Sequence, residues 1–268
     1  MKEQIWKQIS EVRTKSPLVH NITNYVVMNN TANALLAAGA SPVMAHAQAE
    51  VQDMVTIAGA LVVNIGTLDE YWVQSMELAA EAANELAKPW VLDPVGAGAT
   101  PFRNEVLQSL LKLQPSIIRG NASEIMAITN VPGGTKGVDS IHESVDAVSS
   151  AKYLNQQIGS VVCVSGATDI IVHELKLVKL SNGDPLMSKV TGLGCTASAL
   201  IGAFIAVNSS DPFLATTSAM ALLGVAGELA ARKAAGPGSL QLHLLDALYS
   251  LTEEEFLSVI RIEERDEE

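Results

Sequence analysis

Gly192, Gly194 and Cys195 lie within residues 189–207, KVTGLGCTASALIGAFIAV, where a polar turn passes into an unbroken run of small and apolar residues. That order predicts a glycine-rich loop feeding a buried helix. The first amides of such a helix have no intrahelical acceptor and stand at the positive end of its dipole. They hold anions, phosphate above all, and glycine lets the backbone come close to the ligand. A loop that uses glycine only to turn and cysteine only to pack leaves the same trace, so other stretches must decide.

A free thiol titrates near ~8.5, and a helix N-terminus can lower it toward neutrality, which would make Cys195 a usable base or nucleophile. A cysteine nucleophile generally works with a histidine. His20, His46, His142, His173 and His243 are scattered, none in a local motif, which gives a covalent mechanism little support. Phosphoryl transfer asks less of the protein, because its loose transition state is stabilised mainly by positioning, metal and amide donors.

Asp93 stands between an apolar run and VGAGAT. A carboxylate beside glycine amides suits Mg2+, which takes one or two carboxylates together with waters and phosphates; a plain Asp-Pro turn is the other reading. Asn121 and Glu124 have capping-box spacing, yet Arg119, two residues earlier, is an always-charged donor where phosphate could sit. Asn24 and Met44 fall near strand ends, where ligands collect in open α/β sheets. Met44 as filler of a core gap is the other reading.

The elements that would carry these residues alternate. Residues 18–19 read as a short strand, 27–38 as a helix ending at Gly39, SPVMA as a strand and 50–59 as a helix. ALVVNIG, PWVLDPVGAG, PSIIRGN and SVVCVSG read as buried parallel strands, the last three ending in Asp93, Arg119 with Asn121, and Ser165. Thr67 with Glu70, and Ser140 with Glu143, are spaced to cap the helices between them. The expected fold is α/β: a mostly parallel sheet with helices on both faces. ATDIIVHELKLVKLSNGDP adds an antiparallel edge. A long helix over 216–235 is stopped by GPGS, and helices over 241–250 and 253–259, the second capped by Thr252, close the chain.

With 268 residues, 48% of them apolar and 17% charged, and no linker, the chain reads as one domain, residues 1–268. A net charge of -12 excludes general binding to nucleic acid or anionic membranes, but not a nucleotide site with local positive potential. Residues 263–268 read as a solvated acidic tail. Two cysteines, Cys163 and Cys195, imply no disulfide framework and fit a cytoplasmic protein. The N-terminal 17 residues read as an amphipathic helix without the apolar core of a signal peptide, and the apolar run 197–207 is too short to span a bilayer.

VHNITNYVVMNNTANALLAAGASPVMAHA, VLDPVGAGAT, IIRGNASEI, VTGLGC, and GPGS followed by LLDALYSL occur in collinear order over nearly the whole chain. Together they resemble the hydroxyethylthiazole kinases of thiamine salvage, which have a ribokinase-like fold. The resemblance implies ATP- and Mg2+-dependent phosphorylation of the hydroxyl of 4-methyl-5-(2-hydroxyethyl)thiazole in a homotrimer with sites between subunits. Carried over by position, Met44 and the Gly192 amide would contact the thiazole, Arg119 and Ser165 the nucleotide, and Asp93 and Glu124 with Asn121 would organise Mg2+. Cys195 would stand where the wider group places an aspartate base, with Gly194 in the anion hole. The chain differs from the family pattern at Leu193, between the glycines, and at Ser165, where threonine is usual. Ribokinase-like folds also host a nucleotide-dependent hydro-lyase that repairs hydrated nicotinamide cofactors, and fold alone does not choose between the two.

Overall fold

A computed structural model describes residues 1–129 and 140–266. The chain runs α1 (Lys2–Lys15), β1 (Leu18–Ile22), α2 (Met28–Ala38), β2 (Ser41–Val43), α3 (Val51–Ile57), β3 (Ala60–Asn64), α4 (Glu70–Glu85), β4 (Trp90–Asp93), α5 (Pro101–Lys112), β5 (Ile117–Asn121) and α6 (Ala122–Thr129). It continues through α7 (Ser140–Ile158), β6 (Val161–Ser165), β7 (Asp169–His173), β8 (Lys176–Leu180), α8 (Leu193–Val207), α9 (Pro212–Ala231), α10 (Pro237–Ser250), α11 (Glu253–Val259) and β9 (Ile262–Asp266). The strands form one sheet in the order β2-β1-β3-β4-β5-β6-β7-β8-β9. It is parallel from β2 to β6 and antiparallel from β6 to β9, the expected α/β architecture with its antiparallel edge.

Alternation along the strands divides the core in two. Val62, Val91, Ile117 and Cys163 pack with α1, α2, α8 and α9, while Leu61, Leu92, Ile118 and Val162 pack with α4, α5 and α7 on the other face. The small residues of α8 have a steric cause at Gly202, where a Cβ would lie 2.5 Å from Val62 Cγ2 and 2.9 Å from Val19 Cγ1. The helix axis therefore rides close on β1 and β3, and its N-terminus is carried to the carboxyl ends of those strands.

Several expected details differ. Asp69, not Thr67, caps α4: its side chain accepts from Trp72 N at 2.9 Å, while Thr67 Oγ1 accepts from Tyr25 N at 3.1 Å. Thr252 does cap α11 reciprocally with Glu255. The Ser140–Glu143 pair lies outside the residues whose side chains are described. GPGS does not stop the long helix, which spans Pro212–Ala231; it starts α10 with Pro237 in the first turn, where a missing N–H costs no hydrogen bond. Of the expected solvated tail, 263–266 belong instead to β9 (Ile262–Asp266), paired with β8, and Glu267 and Glu268 lie outside the described residues. Among the described residues one helix, α9, is long and apolar enough to cross a membrane, but 83% of its apolar window is buried as a core helix.

Candidate active site

Strand order sets the layout of the site. At the carboxyl ends, the sheet brings Met44 after β2, Asn24 after β1, Asn64 on β3, Asp93 on β4, Arg119 and Asn121 on β5, and Ser165 on β6 into one row. α8 opens above the middle of that row. Gly192 is its N-cap at φ 82°, and a Cβ there would lie 2.5 Å from Val27 Cγ1, so the turn needs glycine on both counts. A Cβ on Gly194 would lie 2.7 Å from Arg119 Nη1. The glycine spacing thus lets the helix start close over the guanidinium, with its free amides and positive dipole end above the row.

Arg119 is nearly buried and ties two strands together. Its Nη2 donates to Ser165 Oγ at 2.6 Å, and its Nη1 lies 3.9 Å from Asp93 Oδ1. Burial works against its charge, but Asp93, Asp169 and Glu124 outweigh that and hold its pKa above the ordinary arginine value. Asp93 is fully buried. Its Oδ2 accepts from Asn64 Nδ2 at 2.7 Å and Ser198 Oγ at 2.8 Å, whereas its Oδ1 has no hydrogen-bond partner. Burial pushes the carboxyl up to about 6, against the pull of Arg119 and the two hydrogen bonds. An orphaned, buried acceptor of this kind costs about 1–3 kcal/mol, and it marks where a ligand would complete the set.

Cys195 corrects the expectation of an acidified thiol. Burial, then the Asp93 charge, pushes it up to about 11, more than the side chains of Asn64 and Asn24 and the charge of Arg119 lower it. Asn24 Nδ2 approaches its sulfur at 3.4 Å. Glu124 does what the capping spacing predicts: Oε2 accepts from Asn121 N at 2.8 Å, and Asn121 Oδ1 accepts from Glu124 N at 2.9 Å. Its other oxygen accepts from Gly96 N at 2.9 Å, which joins the cap to the glycine loop after β4.

A cavity of about 780 Å3 opens on one end of the row and is lined by Arg119, Ser165, Asp169, Asn182, Gly192 and Gly194 among others. Met44, Asp93, Glu124 and Cys195 are not in its lining. The predicted nucleotide residues therefore share one space, and Met44 stands apart after the far strand, two residues before His46, whose ring meets Trp72 at a tilt (4.6 Å), as that of Tyr25 does (4.6 Å). Sequence reading missed Asn64, Ser198 and Asp169. Asn64 ends a strand, as Asp93 does, and that position was its available signal. Ser198 had none beyond lying one helical turn after Gly194. Arg103 was also missed: it donates to Val95 O at 2.8 Å, to Gly66 O at 2.8 Å and to Ile65 O, clamping the loops after β3 and β4 to each other.

The profile of the hydroxyethylthiazole kinase family matches residues 9–254. A hydroxyethylthiazole kinase of Leptospira biflexa is 61% identical over 241 residues, 90% of each chain. One of Syntrophus aciditrophicus is 57% identical over 262 residues, 97% of each chain. The solved hydroxyethylthiazole kinase of Pyrococcus horikoshii OT3 superposes with a TM-score of 0.91 at 44% identity, over 99% of this chain and 100% of that one. A ribokinase-like superfamily protein of Enterococcus faecalis V583 superposes with a TM-score of 0.67 at 12% identity, over 96% of this chain and 95% of that one, a likeness of fold.

Proposed function

The chain belongs to the hydroxyethylthiazole kinase family, and on that premise we propose that it transfers the γ-phosphoryl group of ATP to the side-chain hydroxyl of 4-methyl-5-(2-hydroxyethyl)thiazole. The observation that carries the chemistry is the placement of the α8 N-terminus between two ends of one strand row, the cavity holding Arg119 and Ser165 on one side and Asn24 and Met44 on the other. ATP enters the cavity with its polyphosphate toward Arg119 and Ser165. The thiazole lies toward Met44 and the Gly192 amide, its hydroxyl beside Cys195. The amides at Gly194 and Cys195 hold the transferring phosphoryl group, and in-line attack needs little more than that positioning.

Cys195 is a neutral thiol at pH 7 in the free protein, so its part is to hold the alcohol, whose proton passes to the oxygens of the transferred phosphoryl group or to water. Asp93 and Glu124 would hold Mg2+, which supplies charge neutralisation between the outer phosphates when bound. The residues present fit that ion: Asp93 Oδ1 is an unpartnered acceptor, and Glu124 keeps free lone pairs beside its amide donors. Two carboxylates suffice for Mg2+, which completes its shell with waters and phosphates.

Residues 1–268 act as one kinase domain, and copies of it assemble as a homotrimer with sites between subunits. The exposed Tyr25 (60%) and Val26 (61%), next to Asn24 after β1, support a covering surface at the thiazole end. Free Cys163 and Cys195 fit a cytoplasmic setting. The hydro-lyase reading gains no support from a family match over residues 9–254. Mass spectrometry of a reaction with purified chain, Mg2+, ATP and the thiazole alcohol tests the reading. The expected product is the thiazole phosphate ester; recovery of unmodified alcohol beside hydrolysed ATP would refute it.

A further inference from the structure

We propose that Asn64 is a positioning residue for the transfer: one end of its carboxamide sets Asn24 against Cys195, and the other holds Asp93. Asn64 ends β3 opposite Asp93 in the parallel register and is buried. Its Oδ1 accepts from Asn24 Nδ2 at 2.8 Å and from Gly66 N at 2.9 Å, while its Nδ2 donates to Asp93 Oδ2 at 2.7 Å. The backbone N–H of Gly66 can only donate, so the amide has one orientation, with its NH2 toward the carboxylate. The same Asn24 Nδ2 reaches Cys195 Sγ at 3.4 Å.

Gly66 supplies a second, steric observation. A Cβ there would lie 2.5 Å from Asn24 Nδ2, so the chain leaves this place empty of side chain and Asn24 fills it. The row Cys195, Asn24, Asn64, Asp93 is thus a continuous set of contacts between the acceptor alcohol's side and the phosphate side. Ser198 donates to the same Asp93 oxygen from α8, so the carboxylate is held from both sides.

The consequence for turnover rests on the kinase reading, so turnover by the unaltered chain is measured first; its absence refutes that reading and not the hydrogen-bond set. Given turnover, Asn64→Ala lowers kcat by ~10–100-fold with the KM for ATP and for thiazole within ~3-fold, the cost of a small misplacement of reacting groups. Combining it with Asn24→Ala gives a kcat loss within ~3-fold of the larger single loss, because the two act as one unit. Asn64→Asp, near-isosteric, keeps the acceptor for Asn24 and Gly66 but loses the donor toward Asp93; it decides the matter where the alanine variant does not fold, with the same kcat loss expected. A folded variant with kcat within ~2-fold of the unaltered chain overturns the proposal. So does multiplicative loss with Asn24→Ala, or a loss confined to KM.

Discussion

Nη1 of Arg119 lies 3.9 Å from Oδ1 of Asp93, with 11% of the arginine side chain exposed and none of the aspartate. The pair is too long for a good hydrogen bond, so its value is Coulombic: the guanidinium keeps a buried carboxyl from rising further than about 6. Arg119→Met leaves that carboxyl without its cation. The expected loss is about 3–5 kcal/mol of stability at pH 8, smaller if Asp93 takes up a proton. Urea unfolding measures it, and a midpoint equal to that of the unaltered chain would mean the two charges do not interact.

Asp169 gives a pH signature. Burial pushes its carboxyl up to about 6, with Gly166 N and Arg119 pulling the other way. Between pH 4 and 6 the folded chain therefore holds a proton that the unfolded chain has lost, and its contribution to stability falls as pH rises through that window. Asp169→Asn keeps an acceptor for Gly166 N and removes the titration. The variant gains ~2–3 kcal/mol relative to the unaltered chain on going from pH 4 to pH 7.5. Thermal melts at the two pH values check the sign, and a relative loss at pH 7.5 contradicts it.

Cys195→Ser retains a measurable fraction of turnover, ~1% or more, because base catalysis contributes modestly when the transition state is loose. With the thiol pushed up to about 11, little thiolate is present at neutral pH to be lost. Turnover below detection in a folded variant would show that the sulfur does chemistry that the amides cannot.

Helix α4 tests the corrected cap. Asp69→Ala costs ~1 kcal/mol by freeing Trp72 N, and Thr67→Ala costs less on the helix, since its hydroxyl serves Tyr25 N instead. Equal destabilisation of the two variants would restore Thr67 as the cap.

Much of this was legible in the chain. ALVVNIG and PWVLDPVGAG read as buried parallel strands because both faces of the sheet are covered, and the apolar run after Gly194 read as a core helix. Strand ends with polar residues then nominated Asp93, Arg119 and Ser165. The acidic C-terminus misled because its strand partner lies elsewhere: Glu263 is in register with Lys179 on β8, which only the sheet brings beside it. Thr67 misled because Asp69, two residues on, is an equally good cap and competes for the same turn. Asn64 and Ser198 escaped notice because they converge on one carboxylate oxygen of Asp93 from β3 and from α8, 134 residues apart in number. The raised thiol of Cys195 was hidden for a related reason, since the charge of Asp93 reaches it only through the fold.

The most direct measurement is ADP release by the purified chain with Mg2+ and ATP, comparing hydroxyethylthiazole with a hydroxymethylpyrimidine alcohol. The account predicts release that depends on the thiazole and is weak or absent with the pyrimidine. Release with the pyrimidine alone would keep the kinase fold and overturn the pocket assigned around Met44. No release with either would contradict phosphoryl transfer itself.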